Sequence, residues 1–203
     1  MKIAAVIVAA GRSSRFDAGN TPSGNKLLAA MGGKPVIAYV TEAVLAAGLD
    51  DVVLVTAPNG GDIREAAGTD VRAIINDRPA EGLSSSIQAG LRHLDPETRG
   101  ALIVLADMPR IPSTLIAQLC AAFAACGGSK IVFPQTAAGQ RGNPVLWPRA
   151  LFPELMQLSG DVGGKALLAK HPTLLLAVVL DDAGILLDID TTADLARVAS
   201  YNT

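Results

Sequence analysis

The sequence predicts an α/β fold, with a mostly parallel, mixed sheet and helices on both faces. Three observations carry this expectation. Apolar runs of strand length alternate with segments of helical period from one end of the 203 residues to the other. The first of these runs, Ile3–Ala9, is apolar throughout rather than alternating, the pattern of a strand covered on both sides. Half of the residues are hydrophobic but only 3% are aromatic, so the core is built from Ala, Val, Leu and Ile, the usual filling between a sheet and its helices.

The elements follow in order. After Ile3–Ala9, residues Pro35–Ala47 carry Val36, Val40 and Val44 at helical spacing and stop at Gly48. Strands are predicted at Val52–Thr56, which ends at Pro58, Asn59 and two glycines, and at Val71–Ile75. Leu83–Leu94 reads as a helix with Ile87, Leu91 and Leu94 on one face, and Ala101–Ala106 as a buried strand ending at Asp107. Ser113–Cys126 is an amphipathic helix stopped by Gly127–Gly128. Strand runs at Ile131–Phe133 and Val145–Trp147 precede a helical region that ends near Lys170. Leu174–Leu180 and Ile185–Ile189 lie too close together for a helical crossover, so they are expected to add antiparallel strands. Thr191-x-x-Asp194 has the form of a capping box for a last short helix. Repeats, low-complexity tracts and linkers are lacking, and residues 1–203 read as a single domain.

Composition excludes several classes of function. A formal net charge of -2 gives no global basic surface, which argues against nucleic acid as a partner. An apolar run of membrane-spanning length and a signal-peptide pattern are both missing, so the expectation is a cytoplasmic protein with no membrane partner. Cys120 and Cys126 have neither CxxC spacing nor a companion histidine, and are expected to be buried core thiols. His93 and His171 lie outside any motif and read as surface or packing residues.

Ligands of open α/β sheets bind beyond the carboxyl ends of the strands. Gly11, Asp107 and Asp190 fall at such ends, which predicts one cleft with an N-terminal loop and two carboxylates. The loop after the first strand matches neither GxGxxG nor GxxxxGK[ST]. Its Ala9-Ala10-Gly11 corner can still bring backbone N–H groups to an anion, and Arg12 and Arg15 can hold phosphate oxygens. Exposed loop arginines are common, so an ordinary strand exit fits these residues equally well.

Ordered segments along the chain decide between them by resemblance. "AAGRSSRF" (Ala9–Phe16), "NKLL" (Asn25–Leu28), "EGLSSSI" (Glu81–Ile87) and "ADMP" (Ala106–Pro109) are followed by "RGNPVL" (Arg141–Leu146), "GDVGGK" (Gly160–Lys165) and "DIDTTADL" (Asp188–Leu195). Together they resemble the nucleotidyltransferases related to the molybdenum-cofactor guanylyl- and cytidylyltransferases, the MobA-like group. The chain departs from that pattern at Phe16-Asp17, where the family carries Met-Gly, and in the extended "AGNTPSGN" before Lys26.

The resemblance implies a three-layer, Rossmann-like nucleotidyltransferase fold. It also implies a reaction in which a substrate phosphate attacks the α-phosphorus of a nucleoside triphosphate and pyrophosphate leaves. By the same resemblance Arg15 and Lys26 are the catalytic cations, and Asp107 and Asp190 hold Mg2+, with Asp188 as an alternative ligand. Ala9, Ala10, Gly11, Arg12 and Ser13 form the nucleotide loop; Gly82, Leu83, Ser84 and Ser86 contact the base; Asn143 and Asp161 hold the acceptor. Each has a structural reading beside it: turn or cap for Asp107 and Asp190, helix capping for the serines, and turn chemistry for Asn143 and Asp161.

Within the family, "AAG" and "GL-x-x-S" resemble the branch that uses CTP, with molybdopterin or the molybdenum cofactor as acceptor and a molybdenum hydroxylase apoenzyme as a further partner. The alternatives are a relative using GTP, a relative using a sugar or methylerythritol phosphate, and a non-catalytic chaperone for the finished cofactor.

Overall fold

The computed structural model of the chain describes residues 1–11, 13–16, 24–161 and 164–201. The expected α/β architecture is present. Strand β1 (Ile3–Ala9) leads through a 3-10 turn at Lys26–Leu28 and a small hairpin, β2 (Ala30–Met31) and β3 (Lys34–Pro35), into α1 (Val36–Ala46). Then come β4 (Asp51–Thr56), α2 (Gly61–Ala67), β5 (Arg72–Ile75) and α3 (Leu83–Arg92). The second half runs β6 (Gly100–Leu105), α4 (Ser113–Ala125), β7 (Ile131–Thr136), β8 (Val145–Pro148), α5 (Phe152–Leu155), α6 (Lys165–Lys170), β9 (Leu175–Leu180) and α7 (Thr192–Ala199).

Seven strands form the main sheet in the order β5-β4-β1-β6-β8-β7-β9. All neighbouring pairs are parallel except the two made by β8, which runs antiparallel to β6 and β7. The chain adds strands to one side of β1 and then crosses to the other, so the order reverses between β1 and β6. That is the crevice where ligands of such sheets sit.

The uninterrupted apolar run of β1 is explained by its two covers. Ile3, Ala5, Ile7 and Ala9 belong to one layer with Val36, Ile37, Val40 and Val44 of α1, Leu115, Ile116 and Leu119 of α4, and Val198 of α7. Ala4, Val6 and Val8 point the other way, into a second layer with Ile87 and Leu91 of α3, Trp147, Leu155 and Leu168. A Cβ on Gly90 would come within 2.3 Å of Val6 Cγ1, so the glycine lets α3 lie directly on β1.

Three expectations are corrected. Ile185–Ile189 is not a strand: it begins in a 3-10 turn, Ala183–Leu186, whose Gly184 N–H donates to Asp182 Oδ1 at 2.7 Å. Its isoleucines are fully buried, but its backbone bonds go to loops, with Ile185 O accepting from Asn143 N and Ile189 N donating to Asp107 O. Second, β9 is parallel to β7, and the antiparallel member of the sheet is β8. Third, Cys120 and Cys126 are half-buried rather than buried, because Leu115, Ile116, Leu119 and Phe123 form the inner face of α4. Partial burial still pushes the Cys120 thiol up to about 11, with the Asp50 carboxylate adding to the effect. Of the two histidines, His93 is a surface residue that bonds Ala89 O at 2.8 Å, and His171 is half-buried, 3.0 Å from Glu154 Oε1.

The capping box on α7 forms as expected. Asp194 N donates to Thr191 Oγ1 at 3.1 Å, and Thr191 N donates to Asp194 Oδ2 at 3.0 Å. Thr191→Ala is therefore expected to cost about 1 kcal/mol of stability, read as a lower midpoint in urea with an unchanged slope. An unchanged midpoint would show that the box carries no net stability.

Candidate functional site

The site is assembled at the carboxyl ends of β1 and β6. Asp107 follows β6, where a tight turn returns Met108 N to Leu105 O. The segment carrying Asp190 is drawn to the same end by the Ile189 N–H bond to Asp107 O at 3.0 Å, and it is fixed behind by the α7 cap. Arg110 reinforces the arrangement from the far end of α7, donating to the carbonyls of Val198 and Ala199 at 2.8 Å each.

Lys26 enters from the first loop. Asn25 caps the 3-10 turn by accepting from Leu27 N at 3.0 Å, while Lys26 N donates to Ser13 Oγ at 3.3 Å. Ser13 adopts a positive φ of 50°, an uncommon conformation for a non-glycine residue. The Lys26 ammonium then reaches Asp107 Oδ2 at 2.6 Å and Asp190 Oδ1 at 2.8 Å. Arg15, largely exposed, adds a contact of 3.0 Å to Asp190 Oδ2.

Four sequence-predicted residues thus meet in one cluster. Burial works against the charged ammonium of Lys26, but attraction and hydrogen bonds from Asp107 and Asp190 outweigh it and hold its pKa above the ordinary lysine value. Asp188 lies at the exposed rim; partial burial and the negative charges of Asp107 and Asp190 raise its carboxyl. Asp107 Oδ1 is buried without a hydrogen-bond partner among the described residues. An orphaned carboxylate oxygen beside a second carboxylate suits a hard divalent cation, which takes one or two carboxylates and completes its shell with phosphate and water. Among the described residues no group of three or more His, Cys, Asp or Glu forms a cage for a metal by itself.

A cleft of about 360 Å³ opens at the carboxyl ends of β1 and β4; its lining includes Asn25, the residue before Lys26, but none of the four cluster residues. Ala9, Ala10 and Gly11 line one wall, as the sequence predicts for the nucleotide loop, and Gly24 and Asn25 continue it. The opposite wall brings in Asn59, Gly60 and Pro79, which the sequence reading does not assign. The signal was present: Pro58-Asn59-Gly60-Gly61 follows β4 at its carboxyl end, where the rule that placed Gly11 and Asp107 applies equally. Arg12 lies outside the described residues.

The Gly82–Ser86 segment starts α3, and its serines are buried. Asn76 Nδ2 donates to Ser85 Oγ at 2.8 Å and to Ser86 Oγ at 3.0 Å, and Ser85 Oγ donates to Arg78 O and Gly82 O. The amide of Asn76 is a further group missed by sequence reasoning, since a lone asparagine after a strand looks like a turn former. Asp161 caps this helix from a distance, its Oδ1 accepting from Leu83 N at 3.2 Å, while Gly160 O accepts from Ser84 N. Asn143 is half-buried, its N–H spent on Ile185 O and its bond to Pro144 cis. Neither Asn143 nor Asp161 hydrogen-bonds the carboxylate cluster among the described residues.

Comparison with known proteins agrees with this geometry. A family model described as the MobA-like NTP transferase domain matches residues 5–174. The chain belongs to this family. It is also similar, at 24% identity over 97% of this chain and 96% of the other, to nicotine blue oxidoreductase of Paenarthrobacter nicotinovorans. The bifunctional protein GlmU of Sorangium cellulosum is 27% identical over 64% of this chain, which spans only 28% of that protein's length. Among solved structures, a nucleotidyl transferase from Methanothermobacter superposes with a TM-score of 0.80 at 27% identity, covering 98% of this chain and 96% of the other. The fold is shared with Rv0371c of Mycobacterium tuberculosis, at a TM-score of 0.83 and 24% identity over 99% of both chains. Among the described residues of this MobA-like chain, no helix is long and apolar enough to cross a membrane.

Proposed function

We propose that residues 1–203 form one nucleotidyltransferase domain that transfers CMP from CTP to the phosphate of molybdopterin or the molybdenum cofactor. The observation that carries this reading is the Lys26 ammonium held between Asp107 and Asp190, on a loop whose preceding residue, Asn25, lines a cleft with Ala9, Ala10 and Gly11. In the reaction, an oxygen of the acceptor phosphate bonds to the α-phosphorus of CTP. The bond from that phosphorus to the bridging oxygen breaks, and its electron pair leaves with pyrophosphate. Such chemistry asks the protein for position and charge rather than for a nucleophile.

Lys26 and Arg15 neutralise the triphosphate and the departing pyrophosphate. Asp107 and Asp190 would hold Mg2+, which supplies charge neutralisation at the phosphates when bound. The orphaned Asp107 oxygen supports this role, as does the solved complex of Rv0371c, a protein of the same fold, with manganese. The small Ala9-Ala10-Gly11 wall lets backbone N–H groups approach phosphate, and Gly82–Ser86 forms the base side. Asn143 and the second carboxylate oxygen of Asp161 are assigned to the acceptor.

One observation favours a second reading. The relative that matches over nearly its whole length is named an oxidoreductase, and a shared fold hosts unrelated chemistries. Pyrophosphate release is therefore measured with CTP, GTP, ATP and UTP, each with molybdopterin, with and without Mg2+. Release with CTP and Mg2+ alone is the expected result. Release with GTP instead overturns the base assignment. Electron transfer from an added reductant to an added electron acceptor, without any pyrophosphate release, favours the oxidoreductase, and tight cofactor binding with neither activity favours a chaperone.

A further inference from the structure

The geometry points to Lys26 as a resident counter-cation that competes with the divalent ion for the same two carboxylates, so that ion entry and ammonium release are one exchange. This rests on reading Asp107 and Asp190 as metal ligands. One nitrogen touches both carboxylates, at 2.6 and 2.8 Å, from a side chain only 13% exposed. Arg15 takes the remaining oxygen of Asp190. Three of the four carboxylate oxygens are thus engaged by cations. The fourth, Asp107 Oδ1, is buried and has no hydrogen-bond partner among the described residues.

A divalent ion drawing on these carboxylates would sit against a fixed ammonium, and like charges at such separations repel strongly in a partly buried site. The ammonium must then move off, and a triphosphate supplies its next partner. Metal and nucleotide are therefore coupled through the position of one side chain, each favouring the other because each favours the displaced lysine. Until that exchange, Lys26 balances the charge of the two neighbouring carboxylates and keeps them in place.

The experiment is a titration with Mn2+ alone, following the free ion by electron paramagnetic resonance, on the wild-type chain, Lys26→Met, Lys26→Arg and Asp107→Asn. Lys26→Met is expected to bind Mn2+ about tenfold or more tightly than the wild type, because the competing charge is gone. Lys26→Arg keeps the charge and is expected to stay within about threefold of the wild type. Asp107→Asn is expected to lose binding. Unchanged or weaker binding by Lys26→Met, with Asp107→Asn still losing it, overturns the exchange and leaves the metal reading intact. Wild-type affinity in Asp107→Asn overturns both.

Should Lys26→Met fail to fold, the wild type itself carries the test. Mn2+ is expected to raise the rate at which an amine-reactive reagent modifies Lys26, read by peptide mass spectrometry. A rate that Mn2+ leaves unchanged overturns the exchange.

Discussion

In the proposed transfer, Lys26→Ala is expected to lower the kcat for pyrophosphate release by about a hundredfold or more, the loss typical of removing one charge that stabilises a transition state. Arg15→Ala lowers it in the same direction. The reasons differ in kind. Lys26 is nearly enclosed and touches both carboxylates, so its loss removes a charge from a poorly solvated place. Arg15 is 75% exposed and holds a single carboxylate, so solvent screens it more and its effect is the smaller of the two. Initial rates at saturating CTP measure kcat, and circular dichroism shows whether each variant keeps the fold. Full turnover in a folded Lys26→Ala chain would show that the ammonium is structural and that the catalytic assignment is wrong.

Gly82→Ala gives the largest expected loss of stability at the site, about 2–4 kcal/mol. Two costs add there. The residue has a φ of +88°, which a side chain rarely adopts. Its Cβ would also lie 2.5 Å from the Gly160 carbonyl carbon and 2.6 Å from Asp161 Oδ1, and the first of these is backbone that cannot swing aside. Gly33 provides the control, having a φ of +85° but no atom within 4 Å of its would-be Cβ. Gly33→Ala is therefore expected to cost only the conformational share, about 1 kcal/mol. Urea denaturation of both variants separates strain from contact. Equal losses would show that the docking of residues 160–161 onto α3 contributes nothing.

The fold was legible wherever burial dictated residue type. The β1 run, covered by helices on both faces, could be only a central strand, and its observed bounds are those expected from the sequence. The Thr191–Asp194 box was legible because it is local, its partners lying three residues apart. Ile185–Ile189 misled because burial and strand pairing are separate properties. Both isoleucines are fully buried, but the donors and acceptors of the segment are spent on Asn143 and Asp107. The direction of β9 misled because its expected neighbour, the Ile185–Ile189 run that follows it, is not a strand, and β9 pairs with β7 instead. Asn76 was unreadable as a site residue, since asparagine after a strand is ordinary turn chemistry until its neighbours are known; Asn59 was readable from its place at the carboxyl end of β4.

Residue type over a few neighbouring positions was enough to reveal the alternation of elements, the aliphatic make-up of the core and the order of the family segments. It was not enough to place Lys26 between Asp107 and Asp190, which lie 81 and 164 residues further along the chain. Charge alone allows each of these groups many partners. The choice among them is made in three dimensions: by β1 lying next to β6, by the bond from Ile189 to Asp107, and by the cap that fixes α7 behind Asp190.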